Sequence, residues 1–183
     1  MNTKILVTYA SKYGATQEIA EKIGEALRKA GIQADVLPVD GARELNRYSA
    51  VILGSAVYVG KWRKEAEAFL KANEKFLADR PVWLFSSGPS GNGDPVALVE
   101  GVRLPANLQP VADRIQPRDI AVFHGNISPD KINLIEKWAV QNVVKKPFGD
   151  FRNWEMIGAW TNTIIAALKE PESGRRDTNS AFI

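Results

Sequence analysis

The sequence predicts an α/β fold, a three-layer α/β/α sandwich built on a five-stranded parallel sheet. Three observations carry that expectation. Five short apolar runs are spread through the chain, at Lys4–Ala10, Ala34–Val39, Ala50–Leu53, Val82–Phe85 and Ile120–Phe123. Segments of helical periodicity lie between or after them, the pattern of parallel βαβ units. Glycine and hydroxyl residues gather just past the first, third and fourth runs, where ligands collect in such sheets.

The bulk composition agrees. A chain of 183 residues with 45% hydrophobic and 25% charged residues is long enough for one well-buried domain. No apolar run approaches the roughly 20 residues that span a bilayer, and the amino-terminal pattern does not suit a signal peptide. The absence of cysteine excludes disulfides, thiol catalysis and Cys-ligated metal or iron–sulfur sites. No metal is expected, and a cytoplasmic location fits. The net charge of +3 is too diffuse to suggest nucleic acid.

Each element has its own signal. The first strand has a continuous apolar centre, Ile5-Leu6-Val7, suited to burial on both faces. Gln17–Ala30 follows as a helix with Ile19, Ile23, Ala26, Leu27 and Ala30 on one stripe and Gly31 as its stop. The second strand, Ala34–Val39, is weaker. The third ends in Gly54-Ser55, and residues 56–60 read as a loop. One helix is expected from Trp62 to Leu77. Pro81 opens the fourth strand, and the glycine-rich stretch Ser86–Asp94 must be a loop. Residues 95–117 read as irregular, with one helical turn near Val111–Ile115. After the fifth strand, Ser128-Pro129-Asp130 resembles a helix start, and that helix runs to about Lys146. A last helix spans about Asn153–Lys169. Residues 1–170 are thus read as one domain and 171–183 as a polar tail.

Several catalytic and nucleotide-binding motifs fail narrowly. A G-x-G-x-x-G turn is missing because only Gly14 is present in the first loop. Gly54 to Gly60-Lys61 is one residue too long for a Walker P-loop and ends in Trp62. Gly88-Pro89-Ser90-Gly91 brings its second glycine one place early for a nucleophile elbow. His124, the one histidine, is expected at a strand end outside the site.

The first loop does match [ST]-x-x-G-x-T, as Ser11-Lys12-Tyr13-Gly14-Ala15-Thr16. Hydroxyls of Ser11 and Thr16 can donate to phosphate oxygens, Gly14 lets the backbone approach, and amides at the helix start add donors. An ordinary strand-to-helix turn with a capping hydroxyl is the alternative. This loop resembles the phosphate loop of the flavodoxins, and the resemblance covers the chain to about residue 170. It implies a flavodoxin-like sheet of order 2-1-3-4-5 and FMN as cofactor. The implied cofactor-binding residues are Ser11, Lys12, Tyr13, Gly14, Ala15 and Thr16 for the phosphate. Ala56, Val57, Tyr58, Val59 and Gly60 would line one side of the ring, with Tyr58 stacked on it. Ser87, Gly88, Pro89, Ser90 and Gly91 would line the other.

Ser11–Thr16, Gly54–Gly60 and Phe85–Gly91 further resemble the branch containing the menaquinone-dependent protoporphyrinogen oxidases. A basic helical segment after the fifth strand and the run Asp150–Glu155 agree with that branch. Tyr13 departs from the common loop by replacing its second hydroxyl, and the basic charge departs from acidic electron-shuttling flavodoxins. The resemblance implies an FMN oxidoreductase, with a quinone or a redox protein as partner and a porphyrin-like substrate near Trp62, Arg63 and Lys64. A non-enzymatic electron carrier and a ligand-free interaction module are the alternatives. No catalytic side chain is assigned. The amphipathic stretch Asp130–Lys146 could rest on an anionic membrane at the inner face, although packing on its own sheet is favoured.

Overall fold

A computed structural model of the chain describes residues 4–128, 130 and 148–170. The strands are β1 (Lys4–Ala10), β2 (Ala34–Pro38), β3 (Tyr48–Tyr58), β4 (Lys61–Trp62), β5 (Val82–Ser87), β6 (Asp119–Phe123), β7 (Asn126–Ile127) and β8 (Gly149–Asp150). The helices are α1 (Ala15–Lys29), α2 (Lys64–Ala72), α3 (Glu74–Ala78), α4 (Gln109–Ile115) and α5 (Trp154–Lys169). The main sheet has the order β2-β1-β3-β5-β6, with all neighbours parallel, and β4 pairs antiparallel with the end of β3. The fourth and fifth predicted strands are β5 and β6, so the expected order holds once the short β4 is counted.

Two apolar layers sandwich the sheet. Alternation along β1 sends Ile5, Val7 and Tyr9 to one face, where Ile19, Ile23 and Leu27 of α1 meet Ile157, Trp160 and Ile164 of α5. Leu6 and Ala10 face the other side, against Ala66, Phe69 and Leu70 of α2 and Val111, Ala112 and Ile115 of α4. A fully buried Leu or Ile side chain contributes about 1.5–3 kcal/mol, which fixes strand register and helix rotation together.

Helix ends follow the chemistry of their residues. Gly31, at φ 82°, closes α1 in a Schellman motif: Ile32 N–H donates to Leu27 O and Gly31 N–H to Arg28 O. Asn153 caps α5, its Oδ1 accepting from Met156 N–H at 2.9 Å.

Three expectations are corrected. Trp62 belongs to β4, not to the second helix, because its indole is drawn into the core under the sheet. That helix is also divided: Asn73 donates both its backbone N–H and its Nδ2 to Phe69 O, which ends α2 before α3 begins. Residues 56–58 continue β3 where a loop was expected, because β4 supplies the strand with a partner. The turn expected near 111–115 is present as α4, preceded by 3₁₀ turns at Ala97–Val99 and Ala106–Leu108. The helix expected at 130–146 and the tail at 171–183 lie outside the described residues, apart from Asp130. The antiparallel β7–β8 pair brackets the former segment.

Candidate functional site

Strand register brings the three unusual segments side by side. Ala10 lies beside Ser55, Ser55 beside Ser86, and Ser87 beside Phe123. The carboxyl ends of β1, β3, β5 and β6 therefore form one rim. The chain switches direction across the sheet between β1 and β3, which is where open α/β sheets present their ligand crevice.

At the first loop, Gly14 is the N-cap of α1 with φ 92°, a left-handed conformation that favours glycine. No side chain caps this helix, so its leading amides face the loop. Ser11 Oγ accepts from Gly14 N–H at 3.0 Å, which folds the turn and leaves the hydroxyl hydrogen available to donate. Thr16 is buried, Tyr13 is half-buried and Lys12 is exposed. A cavity of about 360 Å³ opens beside this loop, lined by Tyr9, Ser11, Lys12, Gly14, Arg63 and Glu65 among others. Burial, with Glu21 and Asp40 nearby, raises the Tyr9 phenol above its usual range.

The second segment is a hairpin tip. Val59 and Gly60 both have positive φ, 50° and 69°, as a tight two-residue turn demands. A β-branched residue held in this region stores about 1–3 kcal/mol of strain, and Val59 is almost wholly exposed. Ala56 is buried, Val57 half-buried and Tyr58 42% exposed, so the tyrosine ring stands at the rim. It meets Tyr13 edge-on at 6.3 Å, and Lys12 Nζ lies 4.7 Å from the Tyr13 ring centre and 6.0 Å from that of Tyr58. The first and second segments thus form one basic, aromatic corner.

The hairpin is anchored from beneath. Trp62 Nε1–H donates to Ser86 Oγ at 2.8 Å, and Ser86 Oγ donates to Arg103 O at 3.0 Å. Arg63 N–H donates to Ser55 Oγ at 3.0 Å, while its guanidinium pairs with Glu65 at 2.8 Å. Of the residues predicted to meet a substrate, Trp62 is therefore structural, Arg63 is already paired and Lys64 is exposed.

Ser86 and Ser87, expected in the loop, instead continue β5 because β3 and β6 pair with them on both sides, and the third segment leaves the sheet at Gly88. A Cβ at Gly88 would approach Val57 Cβ and Val57 O to 3.0 Å, so this loop lies directly against the hairpin. Gly88 N–H donates to Phe123 O, and Pro89 O accepts from Gly125 N–H. Ser90 Oγ is buried and has no hydrogen-bond partner among the described residues. Gly91 and Gly93, at φ 122° and 109°, let the loop turn back on itself. All three predicted segments are contiguous, through Tyr13 with Tyr58 and through Val57 with Gly88.

Two residues that sequence reasoning left outside the site support it. His124 is buried, with Nδ1 3.3 Å from Pro89 O and Nε2 2.9 Å from Gly93 O. Its position one residue past β6, beside the end of β5, was a readable signal once strand order was known. Arg152 carried no local signal. Its side chain is 5% exposed, forks onto Asp150 at 2.6 and 2.8 Å, and reaches Glu18 at 2.7 Å. It also lies 3.4 Å from Ala15 O and over the Trp154 ring at 4.6 Å. Hydrogen bonding to Asp150 first, and to Glu18, holds this guanidinium firmly in its charged form. The link joins β8 to the first turn of α1, immediately behind the first loop.

An open parallel sheet with a hydroxyl-lined turn at its switch point and two apposed loops beyond defines a class of nucleotide-cofactor proteins. The flavodoxin domain family matches residues 6–152, and the chain belongs to that family. It is 29% identical over 188 residues to protoporphyrinogen IX dehydrogenase [quinone] of Escherichia coli, an alignment covering 92% of this chain and 98% of the relative. Among solved structures, an archaeal flavodoxin superposes with a TM-score of 0.60 at 15% identity, covering 92% of this chain and all of that one. A cysteine-to-serine mutant of Pseudomonas aeruginosa flavodoxin gives 0.58 at 18% identity, with the same coverage. These neighbours establish the fold. The chain is a flavodoxin-like redox protein, and membership of the family implies FMN as its cofactor.

The residues present fit that cofactor. An uncapped helix start beside two hydroxyls suits a phosphate, and an exposed tyrosine at the rim suits an aromatic ring. The unpartnered Ser90 hydroxyl suits a polar ring edge. No helix among the described residues is long and apolar enough to cross a membrane.

Proposed function

We propose that this chain is an FMN-dependent oxidoreductase that oxidises a reduced tetrapyrrole and passes the electrons to a quinone. The observation that carries the reading is the match to a quinone-linked protoporphyrinogen IX dehydrogenase over 92% of this chain and 98% of that one, and the meeting of the three loop segments at one rim supports it. Bound FMN would supply two-electron redox chemistry. Each two-electron oxidation of substrate would release two electrons and two protons, which together convert one quinone to its quinol.

The chain's own residues bind and orient. Ser11 and Thr16 hydroxyls, with the amides of Ala15 and Thr16, would hold the phosphate. Lys12 adds positive charge beside them. Tyr58 would cover one face of the ring, while Ser87–Gly91 would border the other side and offer the Ser90 hydroxyl. Val57 lies close against Gly88 between the two walls. Lys12, Lys61 and Lys64 are exposed around the hairpin and make that approach basic, which favours a substrate bearing carboxylates.

The test is an anaerobic assay of the FMN-loaded chain with protoporphyrinogen and a menaquinone analogue. Quinone-dependent turnover, lost when FMN is removed, is the expected result. A fully flavin-loaded sample with no turnover, which still exchanges electrons with a redox protein, would favour the carrier reading.

A further inference from the structure

The geometry points to an amphipathic substrate cleft at the mouth of the site, in which Val59, Leu98 and Val102 grip the apolar macrocycle of a tetrapyrrole while Lys61 and Lys64 take its carboxylates. The inference rests on the proposed tetrapyrrole substrate and goes beyond it in assigning the residues that select it.

Six large apolar side chains are exposed among the described residues, and four of them stand at this rim: Tyr58 and Val59 on the hairpin, Leu98 and Val102 on the segment after the ring-side loop. Exposed apolar residues scattered singly need no explanation, but a group of them beside a ligand crevice marks a binding surface. The two arms flank one loop. Val57, on the hairpin, lies against Gly88, and Leu98 Cδ1 lies 3.9 Å from where a Cβ on Gly91 would stand. Beneath them Ser86 Oγ accepts from Trp62 Nε1–H and donates to Arg103 O, so β4 and the residue after Val102 are held to one point of the sheet. The second arm is ordered by its own backbone: Leu98 N–H donates to Asp94 O, Gly101 N–H to Val96 O and Val102 N–H to Val99 O.

Val59 is the residue that the fold alone does not explain. A two-residue turn with positive φ at both positions is best served by Asn or Asp followed by Gly. Valine at φ 50° is strained, and at 97% exposure its side chain gains almost no packing within the chain. What valine supplies there is apolar surface at the lip of the cleft.

Charge identifies the ligand's class. Lys61 and Lys64 are exposed on the hairpin and at the start of α2, whereas Arg63 beside them is already paired with Glu65. The second arm carries exposed Asp94 and Glu100, and Arg103, whose guanidinium donates to Ile120 O and stands 4.0 Å from Asp119. Cations on one arm and carboxylates on the other orient a ligand that is apolar through its body and anionic at one edge. A tetrapyrrole with carboxylate side chains has that form; a quinone with an apolar tail has no charge with which to use it.

The experiment titrates the FMN-loaded full chain with protoporphyrin IX, the oxidised macrocycle bearing the same carboxylates, followed by the porphyrin absorbance band. Val59→Asn suits the turn better, so Tm should rise by about 2–4 °C. Porphyrin affinity should nevertheless fall about fivefold, the scale of one half-covered apolar side chain. A purely structural role would move affinity with stability, not against it. Leu98→Ser/Val102→Ser, at two exposed positions, should weaken porphyrin about tenfold. Lys61→Gln/Lys64→Gln should weaken protoporphyrin but not its dimethyl ester. In steady-state turnover the apolar variants should raise KM for the tetrapyrrole and leave KM for a menaquinone analogue unchanged.

Parent-like porphyrin affinity in both apolar variants, a loss confined to the quinone, or a parent that binds no porphyrin would each overturn the inference. Porphyrin binding that weakens in the variants, in a sample that turns over no substrate, would instead refute the oxidoreductase reading and leave the cleft standing.

Discussion

Replacing Arg152 by Met is the most informative single perturbation of the scaffold behind the first loop. Methionine keeps much of the apolar stem and removes the guanidinium. Three charge-assisted hydrogen bonds are lost, two to Asp150 and one to Glu18, together with the stacking over Trp154. Hydrogen bonds to charged groups contribute about 1.5–3 kcal/mol each when buried. The arginine is buried, but Asp150 and Glu18 are 44% and 42% exposed and regain water in the variant, which cuts that figure sharply. The expected net loss is therefore about 2–3 kcal/mol, and for a domain of this size about 5–10 °C in Tm. Thermal and urea unfolding followed by circular dichroism measure it. Because the link ties β8 to the first turn of α1, FMN affinity should fall several-fold as well. Arg152→Lys keeps the charge but not the fork, and should recover less than half of the stability. A Tm change under about 2 °C in the Met variant, or full recovery with Lys, would refute the claim that the bidentate geometry matters.

Other perturbations separate the parts of the site and the scaffold. Ser11→Ala and Thr16→Ala should each weaken FMN about five- to tenfold, as one hydrogen bond to an anion implies, while leaving riboflavin affinity nearly unchanged; titration with both flavins checks this. Gly54→Ala should destabilise by about 1–3 kcal/mol or more, because its Cβ would overlap the Phe85 ring, against which Phe123 and Trp160 pack; urea unfolding reads the loss. Far from the site, burial opposes ionisation of Asp35, but hydrogen bonds from Lys4 and Tyr48 outweigh it and hold its pKa below the usual value. Its contribution to stability is thus present above about pH 4 and lost as pH falls further, so Asp35→Asn should flatten the acid limb of a stability–pH profile.

Much of this was legible in the chain because burial on both faces of a parallel strand leaves a plain apolar run. Ile5–Val7 and Val82–Phe85 could hardly be anything else, and strand order followed from the family resemblance. The first loop was readable because Ser11, Gly14 and Thr16 sit at fixed spacing between a strand and a helix. The hairpin was not. Its strand character depends on Lys61 and Trp62 folding back on Val57 and Tyr58, a pairing that helical periodicity from Trp62 onward concealed. Val59, a β-branched residue with φ 50°, is a poor advertisement for a tight turn. His124 and Arg152 escaped for a shared reason. The carbonyls that meet His124 lie 35 and 31 residues away, and Glu18, which Arg152 reaches beyond its neighbour Asp150, lies 134 residues away, so only the folded chain brings them together.

The central claim is that the rim formed by Ser11–Thr16, the hairpin at Tyr58 and the loop at Gly88 is an FMN site. Its most direct test is the visible spectrum of the purified chain after incubation with excess FMN and removal of the unbound fraction. Stoichiometric flavin absorbance at about 450 nm, with quenched fluorescence and loss of both in Ser11→Ala/Thr16→Ala, is the predicted result. A colourless protein after that treatment, folded by circular dichroism, would contradict it.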